Sequence, residues 1–370
     1  MERASMAETG VQTAIGLMSG TSMDGIDAAL LQTDGDTVTG YGAALSLSYK
    51  DDFRAKLRDL LGRDSDTNED ATTICEELTD LHAEAVRALL TESGLSAGDI
   101  DVIGFHGHTV FHRPEEGITR QISDGGRLAR DTGIAVVDDF RANDVAGGGQ
   151  GAPFAPLYHA ALSRKFEKPL AVLNIGGVAN VTWISPDGGI IAFDTGPGNA
   201  LIDDWVLGRE GLAMDEDGKL AHHGTVNQAV LDQLMDNPYF DLPYPKSLDR
   251  EDFDTAPVAP LSTEDGAATL VAFTVASIDA AVHQFPALPN RWLVCGGGRH
   301  NPALMAALRG LLLQPVEPAE MAGWQGDALE AQAFAYLAVR SLKGLPLSLP
   351  GTTGVTQPTT GGVLHRPDGS

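Results

Sequence analysis

The residues with the most evident capacity for chemistry lie in a turn between two strand-like runs near the start of the chain. An apolar run over 14–18 leads into a short polar segment, and a second run over 26–31 leads out of it. The glycines allow close approach of the backbone, and neighbouring hydroxyls add donors for an anion. Asp24 and Asp27 would repel a bare phosphate but suit one that carries a magnesium ion. The turn is therefore interpreted as a nucleotide-phosphate loop, with an ordinary hairpin turn as the alternative.

Two further glycine turns follow predicted strands. The first comes after 170–175; the second comes after 291–295 and precedes a helix, whose N-terminus favours phosphate or ribose oxygens. Because two of the three turns open equivalent halves of the chain, the sequence indicates a repeated architecture with a nucleotide held between two domains. The predicted nucleotide contacts are Gly20, Thr21, Ser22, Met23, Asp24, Gly25, Ile26, Asp27, Gly176, Gly177, Gly296, Gly297 and Gly298, and the predicted metal ligands are Asp24 and Asp27.

Asp194 is the strongest candidate for a catalytic carboxylate. It follows a buried-looking strand over 190–193 and precedes Gly196, Pro197 and Gly198, which open space for a ligand. A loop carboxylate that caps a turn is the alternative. Asn199 then suits the N-cap of a helix over 200–207.

The tripeptide Asp-Thr-Gly at 194–196 also suggests an aspartic protease, and 131–133 supplies a second copy. The second copy lies in a charged segment, and the two are only 63 positions apart (194 − 131), too close for two lobes of such an enzyme. The protease interpretation is therefore disfavoured.

Other polar groups leave two interpretations open. His106, His108 and His112 could form a metal cluster, but carboxylate or thiolate partners at regular spacing are missing, so contacts to sugar hydroxyls or to solvent are favoured. Glu330 lies in a helix of small apolar residues, where burial of an unpaired carboxylate is costly. A role in the site and a place on an exposed helix face both remain open for it.

Composition sets the class of protein. The chain has 370 residues, 43% of them hydrophobic, with 43 glycines and 20 prolines, which suits a loop-rich α/β enzyme of two domains. The net charge of −26 disfavours binding to nucleic acid or to an anionic membrane. Only two cysteines are present, no signal peptide is visible at the N-terminus, and no uninterrupted apolar stretch is long enough to cross a bilayer. We expect a soluble, cytoplasmic protein.

Hydrophobic periodicity predicts the elements that position these residues. The expected organisation is a flexible tail over 1–12, a domain I formed by 13–144 with 345–370, and a domain II formed by 145–344, with hinges near 147–151 and Gly344. The strands beyond those already given are 101–105, 134–137 and 180–184, and the remaining helices are 51–61, 68–90, 153–162, 225–235, 262–282, 302–312 and 327–342.

At these residues the chain resembles the anhydro-N-acetylmuramic acid kinases, a branch of the sugar-kinase, actin and heat-shock ATPase superfamily. The resemblance extends over nearly the whole chain. The matching segments are 16–27, 106–107, 139–141 with Asp144, 148–153, 174–177, 193–199, 294–298, 330–335 and 353–354.

The resemblance implies two ribonuclease-H-like domains around a central nucleotide cleft, the actin-like ATPase fold, with ATP and Mg²⁺ on the glycine turns. It implies a cytoplasmic homodimer that recycles cell-wall amino sugar. Asp194 would activate water to attack the anomeric carbon of the 1,6-anhydro sugar, after which the freed O6 takes the γ-phosphate. Glu330 would assist that water. The residues implied for sugar binding are His106, Arg141, Asp144, Gly196 and Asn199.

Three positions depart from the family pattern. His108 stands where glutamine is common, Ser123 where glycine is usual, and Leu248 with Asp249 where Thr-Gly is common. We interpret these departures as touching the sugar side, which keeps a levoglucosan-type anhydro-sugar kinase as an alternative. An actin-like, ATP-gated binding module is a second alternative, and the presence of both Asp194 and Glu330 argues against it.

Overall fold

The computed structural model describes residues 10–20, 23–62, 69–248 and 252–368. Most of the predicted tail, the predicted nucleotide contacts Thr21 and Ser22, and the departure at Asp249 lie outside these residues.

The elements alternate between strands and helices in both halves of the chain. The strands are β1 Gln12–Ser19, β2 Gly25–Thr33, β3 Val38–Ser48, β4 Val102–Arg113, β5 Ile118–Ile122, β6 Val136–Asp138, β7 Leu170–Ile175, β8 Val178–Ile184, β9 Ile190–Pro197, β10 Trp292–Cys295, β11 Val316–Pro318 and β12 Val363–His365. The α-helices are α1 Asp51–Leu60, α2 Glu69–Ser93, α3 Gly125–Thr132, α4 Ala142–Ala146, α5 Pro156–Leu162, α6 Ala200–Glu210, α7 Lys219–His223, α8 Gln228–Met235, α9 Thr263–Val282, α10 Pro302–Leu311, α11 Leu329–Leu342 and α12 Pro350–Thr353.

The chain divides into two compact units whose boundaries differ from the predicted domains. Unit 1 is Met1–Arg164 with Ala328–Ser370, and unit 2 is Lys165–Asp327. Helices α5 and α11, which the sequence assigned to domain II, belong to unit 1; the hydroxyl of Tyr158 on α5 donates to Gln332 Oε1 on α11 at 2.9 Å. The chain passes between the units at 164–165 and at 327–328. The predicted hinge regions at 147–151 and Gly344 therefore lie inside unit 1, since α5 and α11 pack within that unit.

Unit 1 is built on a sheet in which α11 lies directly against the central strands. The order is β12-β6-β4-β1-β2-β3, with β5 added beside β4. Strands β1, β2 and β3 are antiparallel, while β4 runs parallel to β1 and to β6. A Cβ at Gly16 would lie 1.7 Å from the carbonyl oxygen of Ala331, and one at Gly104 would lie 2.1 Å from that of Phe334. These two glycines let the helix approach the sheet.

Unit 2 repeats the same topology. Its sheet has the order β11-β10-β7-β8-β9, with β7, β8 and β9 antiparallel and β10 parallel to β7 and β11. Short turns join antiparallel strands, and crossovers that contain helices join parallel ones, which is what connection length dictates. The core around Phe193, Phe273 and Trp292 is fully buried. The two α/β units with one strand order confirm the predicted fold class and the predicted repeat.

Two predicted strands are longer than the sequence indicated. Strand β4 continues to Arg113, so His106 and His108 lie within it, and His108 pairs with both β1 and β5. Strand β9 continues to Pro197, and Asp194 pairs with Asn180 inside the β8–β9 ladder. Asp194 therefore belongs to a strand and not to the turn that follows it.

The expectation about apolar stretches also needs correction. In the described part of the chain, α9 is long and apolar enough to cross a membrane, with a mean hydropathy of 1.4 over its most apolar window. Yet 67% of that window is buried inside the protein, as is typical of a core helix. Ser262 caps this helix as predicted, since its Oγ accepts from the N–H of Asp265 at 3.1 Å.

Candidate active site

The described residues of the β1–β2 turn of unit 1, Gly20 and Met23, are joined by a backbone hydrogen bond. The N–H of Met23 donates to the carbonyl of Gly20 at 3.0 Å, and Met23 has a left-handed φ of 57°. The Met23 side chain is buried in the core of unit 1, so only its backbone faces outward. A Cβ at Gly25 would lie 2.3 Å from the carbonyl oxygen of Leu47, which makes glycine necessary there.

The two carboxylates of this turn differ in their surroundings. Asp24 is exposed, whereas Asp27 is partly buried on β2 and accepts a hydrogen bond from the hydroxyl of Ser46. Mg²⁺ in nucleotide sites takes one or two carboxylates and completes its shell with phosphate oxygens and water. Among the residues that the structure describes, three or more metal-ligating side chains do not cluster anywhere. The pair therefore fits an ion shared with a phosphate chain better than an ion held by protein alone.

Two of the predicted sugar-binding residues meet on unit 1. Arg141 Nε donates to His106 Nε2 at 3.0 Å, so the imidazole proton sits on Nδ1 and is directed to the carbonyl of Gly107 at 2.9 Å. Burial and the neighbouring guanidinium hold the pKa of His106 well below its usual range. Arg141 also donates to the carbonyl of Gly151. His106 is therefore a neutral group fixed in one tautomer.

Asp144, predicted to bind sugar, is fully engaged with its own unit. One carboxylate oxygen accepts from the N–H of Gly151 at 2.7 Å, and the other accepts from the hydroxyl of Thr353 at 2.6 Å. Only 1% of the residue is exposed. The geometry supports a role in holding the glycine segment 147–151 beside Arg141. Glu330 lies exposed on the first turn of α11, where the helix dipole favours a carboxylate.

Asp194 in unit 2 is buried and held by one segment, residues 239–248. Its N–H donates to the carbonyl of Lys246 at 3.1 Å, and its carbonyl accepts from the hydroxyl of Tyr239. Its Oδ2 accepts from the N–H of Leu248 at 2.8 Å. The carboxylate is thus oriented by the protein before any substrate binds. The same bond shows that Asp194 also anchors a loop, as the alternative interpretation of this residue held.

Lys246 lies near the end of this segment and was not singled out from the sequence. Its Nζ donates to the carbonyl of Tyr239 at 2.9 Å and lies 4.3 Å from the centre of the Tyr239 ring. Burial lowers the pKa of Lys246 to about 8. The signal available in the sequence was a single lysine in an aromatic, proline-rich segment, which does not reveal that its ammonium group binds backbone carbonyls.

The glycine turns of unit 2 come together around Asn199. The N–H of Asn199 donates to the carbonyl of Gly176 at 2.7 Å, and its Nδ2 donates to the carbonyl of Ile175 at 3.2 Å. The side chain therefore does not cap α6, contrary to the prediction, because it ties the end of β9 to the end of β7. A Cβ at Gly298 would lie 3.2 Å from this Nδ2, whereas one at Gly297 would meet it only at 3.9 Å.

Two neighbouring glycines serve packing. Gly196 lies against α9, since a Cβ there would be 2.4 Å from Ser277 Oγ. Gly296 has a φ of 74°, and a Cβ on it would lie 2.3 Å from Asn174 Oδ1.

Arg299, which was also not singled out from the sequence, supports the glycine turn at 296–298. Its side chain is 2% exposed and bonds to the carboxylates of Glu320 and Asp327 at 2.8 and 2.7 Å. It also donates to the carbonyl of Gly296 at 2.9 Å.

The described departures from the family pattern make contacts within the protein. His108 is fully buried and bonds to Ser19 at the base of the β1–β2 turn. Ser123 donates to Asp138. Leu248 contributes its backbone N–H to Asp194. In each case the contact is to the protein itself, and the interpretation that these positions touch the sugar stays a prediction.

Two α/β units of one strand order, with glycine turns at matching places, have the fold of the sugar-kinase, actin and heat-shock ATPase superfamily. The family model for anhydro-N-acetylmuramic acid kinase matches residues 12–367. The chain belongs to the anhydro-N-acetylmuramic acid kinase family, and it is a phosphotransferase. This membership excludes the protease interpretation.

Relatives named anhydro-N-acetylmuramic acid kinase match this chain over nearly its full length. An anhydro-N-acetylmuramic acid kinase of Rhodospirillum rubrum is 55% identical over 96% of this chain and 94% of its own length. One from Paramagnetospirillum magneticum is 52% identical over 96% of this chain and 99% of its own length. Among solved structures, the activator of the 2-hydroxyisocaproyl-CoA dehydratase from Clostridium difficile with bound ADPNP covers 90% of this chain and 97% of its own, with a TM-score of 0.46 and 12% identity.

Proposed function

We propose that the protein opens the internal ring of 1,6-anhydro-N-acetylmuramic acid with water and transfers the γ-phosphate of ATP to O6. The products are N-acetylmuramic acid 6-phosphate and ADP. The observation that carries this proposal is the placement of Asp194, a buried residue in a chain of this kinase family. One loop bonds to its backbone N–H, to its backbone carbonyl and to one oxygen of its carboxylate.

Asp194 has the role of base in this proposal. It accepts a proton from water as the water oxygen bonds to the anomeric carbon, and the bond from that carbon to O6 breaks. O6 leaves with the bonding electrons and attacks the γ-phosphorus, and ADP leaves with the electrons of the broken phosphoanhydride bond. The proton on Asp194 returns to solvent. Glu330 orients the water, and a fixed base of this kind contributes through position as well as basicity.

The glycine turns bind ATP in this proposal. The β1–β2 turn and the turns around Asn199 offer backbone donors to the phosphates, as expected for loops at the ends of strands. Asp24 and Asp27 would hold Mg²⁺, which neutralises charge on the transferring phosphate. His106, Arg141 and Asn199 contact the sugar, and Arg141 supplies a cation for its lactyl carboxylate. Asp144 and Gly196 keep their predicted place in the sugar site by shaping its backbone.

The cellular setting is also a proposal. The family resemblance supports a cytoplasmic homodimer that acts in cell-wall recycling. The charge of −26 supports a protein that binds neither nucleic acid nor anionic membranes.

The test is a panel of three sugars with purified protein, ATP and magnesium. Anhydro-N-acetylmuramic acid, levoglucosan and free N-acetylmuramic acid are compared at equal concentration by ADP release and by mass of the phosphorylated product. We expect preference for the first, with a product heavier than substrate by one water and one phosphate group. Turnover of levoglucosan alone would replace the proposal by the levoglucosan-type alternative, and ATP binding with no turnover of any sugar would support the binding module.

A further inference from the structure

A buried hydrogen-bonded chain lies directly beneath the β1–β2 turn. The hydroxyl of Tyr49 donates to Ser19 Oγ at 2.7 Å, and Ser19 Oγ lies 2.9 Å from His108 Nδ1. Tyr49, Ser19 and His108 are 5%, 1% and 0% exposed. Ser19 is the last residue of β1, and His108 faces it from the parallel strand β4. The chain therefore ends at the residue from which the turn departs.

Ser19 Oγ joins the two ends of this chain, because a hydroxyl oxygen has two lone pairs and one proton. It accepts from Tyr49, and its bond to His108 Nδ1 can be donated by either partner, according to the tautomer of His108. His108 Nε2 is buried without a hydrogen-bond partner in the described part of the chain. Burial lowers the pKa of His108 to about 4, so the ring is neutral at pH 7. In such a relay each bond polarises the next.

Tyr49 also forms a hydrogen bond at the other end of the same turn. Its backbone N–H donates to the carbonyl of Asp24 at 3.0 Å, while its hydroxyl reaches Ser19 on the near side. Arg54 adds a third fixed point, donating through Nε to the carbonyl of Met23 at 3.0 Å. One tyrosine thus spans the turn between the residue before it and the carboxylate-bearing residue within it.

We propose that the Tyr49–Ser19–His108 relay preorganises the β1–β2 turn for the phosphates of ATP. The three are positioning residues that act through the turn, and the proposal rests on the assignment of that turn to ATP given above. A turn whose described ends, Ser19, Met23 and Asp24, are already anchored loses less conformational entropy when the ligand arrives. Loss of the relay should therefore weaken nucleotide binding and leave sugar binding unchanged.

The variants are Tyr49→Phe, Ser19→Ala and His108→Leu, each of which removes one member of the relay. His108→Asn is the conservative variant, because its amide occupies the place of Nδ1 and can still form a hydrogen bond with Ser19. Tyr158→Phe is the matched control: it too removes a buried tyrosine hydrogen bond in unit 1, to Gln332. The probe is the imido analogue of ATP with magnesium, measured by calorimetry, beside the KM for ATP and for sugar.

We expect each of the three removals to weaken binding of the analogue by about three- to tenfold, the size of one buried hydrogen bond. The KM for sugar should stay constant, and His108→Asn and Tyr158→Phe should bind the analogue like the parent protein. The Tyr49→Phe, Ser19→Ala double variant should bind no more weakly than Ser19→Ala alone, because both changes break the same relay.

Unchanged analogue affinity in all three folded variants would overturn the relay. Gly20→Val in the same set separates this outcome from failure of the proposed function. If Gly20→Val abolishes binding while the relay variants do not affect it, the turn binds ATP without needing the relay. If Gly20→Val also leaves binding unchanged, the assignment of the turn to ATP is wrong, and the relay proposal falls with it.

Discussion

The hairpins that open the two units share a strand plan but are held by different chemistry. The β1–β2 turn is fixed by side chains that reach it from three other places in unit 1, namely Tyr49, His108 through Ser19, and Arg54. The β7–β8 turn is fixed almost wholly by backbone, since the N–H groups of Gly198 and Asn199 donate to the carbonyls of Gly177 and Gly176. One topology thus supports its turns in two ways.

The difference has consequences for substitution. A side chain that anchors the β1–β2 turn can be shortened without creating a clash. Each such substitution should remove one hydrogen bond and loosen the turn of unit 1 a little further. Backbone anchors depend on contact distances that only glycine permits, as at Gly198, where a Cβ would lie 2.2 Å from the carbonyl oxygen of Gly176. Substitutions at these glycines of the β7–β8 turn should therefore destabilise the fold of unit 2 together with the turn.

The largest expected effect is that of Asp194→Asn, which tests whether the aspartate beside the backbone-held turn is catalytic. The change keeps the size of the side chain and its acceptor for Leu248, but it removes the base. Turnover should fall by at least about 10²–10⁴-fold, while affinity for ATP and the melting temperature stay close to the parent values. All three are measured on one preparation, with the exposed Asp232→Asn on α8 as the control.

An Asp194→Asn protein that melts early but turns over normally per folded molecule would show that the residue only anchors its loop. Near-normal turnover with an unchanged melting temperature would contradict the proposed mechanism outright.

The next prediction distinguishes a glycine of unit 2 that leaves room for the nucleotide from one that is required for folding. A Cβ at Gly297 meets only Asn199 Nδ2, at 3.9 Å, so Gly297→Val should fold and weaken ATP binding by about tenfold or more through contact with the nucleotide. Gly198→Ala should instead lower the melting temperature, because its Cβ collides with backbone. Calorimetry with the ATP analogue and thermal unfolding by circular dichroism are run on both. If Gly297→Val binds ATP normally, that turn is not part of the nucleotide site.

The most gradual effect concerns acid. His82, His108 and His159 are buried in unit 1, and burial lowers the pKa of each to about 4. The unfolded chain binds these protons near pH 6.5, so the unfolded state holds more protons between pH 6.5 and 4. The free energy of unfolding of unit 1 should therefore fall as the pH drops through this range and should not change above it on account of these groups.

The four tryptophans at 183, 205, 292 and 324 all lie in unit 2, which gives the two units separate probes. Urea unfolding at pH 7 and 5 is followed by tryptophan fluorescence for unit 2 and by circular dichroism for both. We expect the circular dichroism midpoint to fall more than the fluorescence midpoint at pH 5. An equal shift of both would show that the units do not differ in this respect.

The sequence by itself determined most of the longer helices, the strands that flank the glycine turns and the turns themselves, because periodicity and glycine act locally. It did not predict β3, β5 or α3. It also singled out Asp194, since a carboxylate after an apolar strand and before three small or rigid residues is unusual. The repeated hairpin predicted that the two halves share one architecture, and motifs spread along the chain predicted the family.

Only the tertiary structure decided what those residues contact. That α5 and α11 belong to unit 1, that Asn199 ties two strands instead of capping a helix, and that His108 supports a turn all depend on residues distant in sequence. The loop that holds Asp194 lies about fifty positions further along the chain, and its lysine binds carbonyl groups that carry no sequence signal. Local pattern fixes which groups a segment offers, whereas packing of distant segments fixes which of those groups meet.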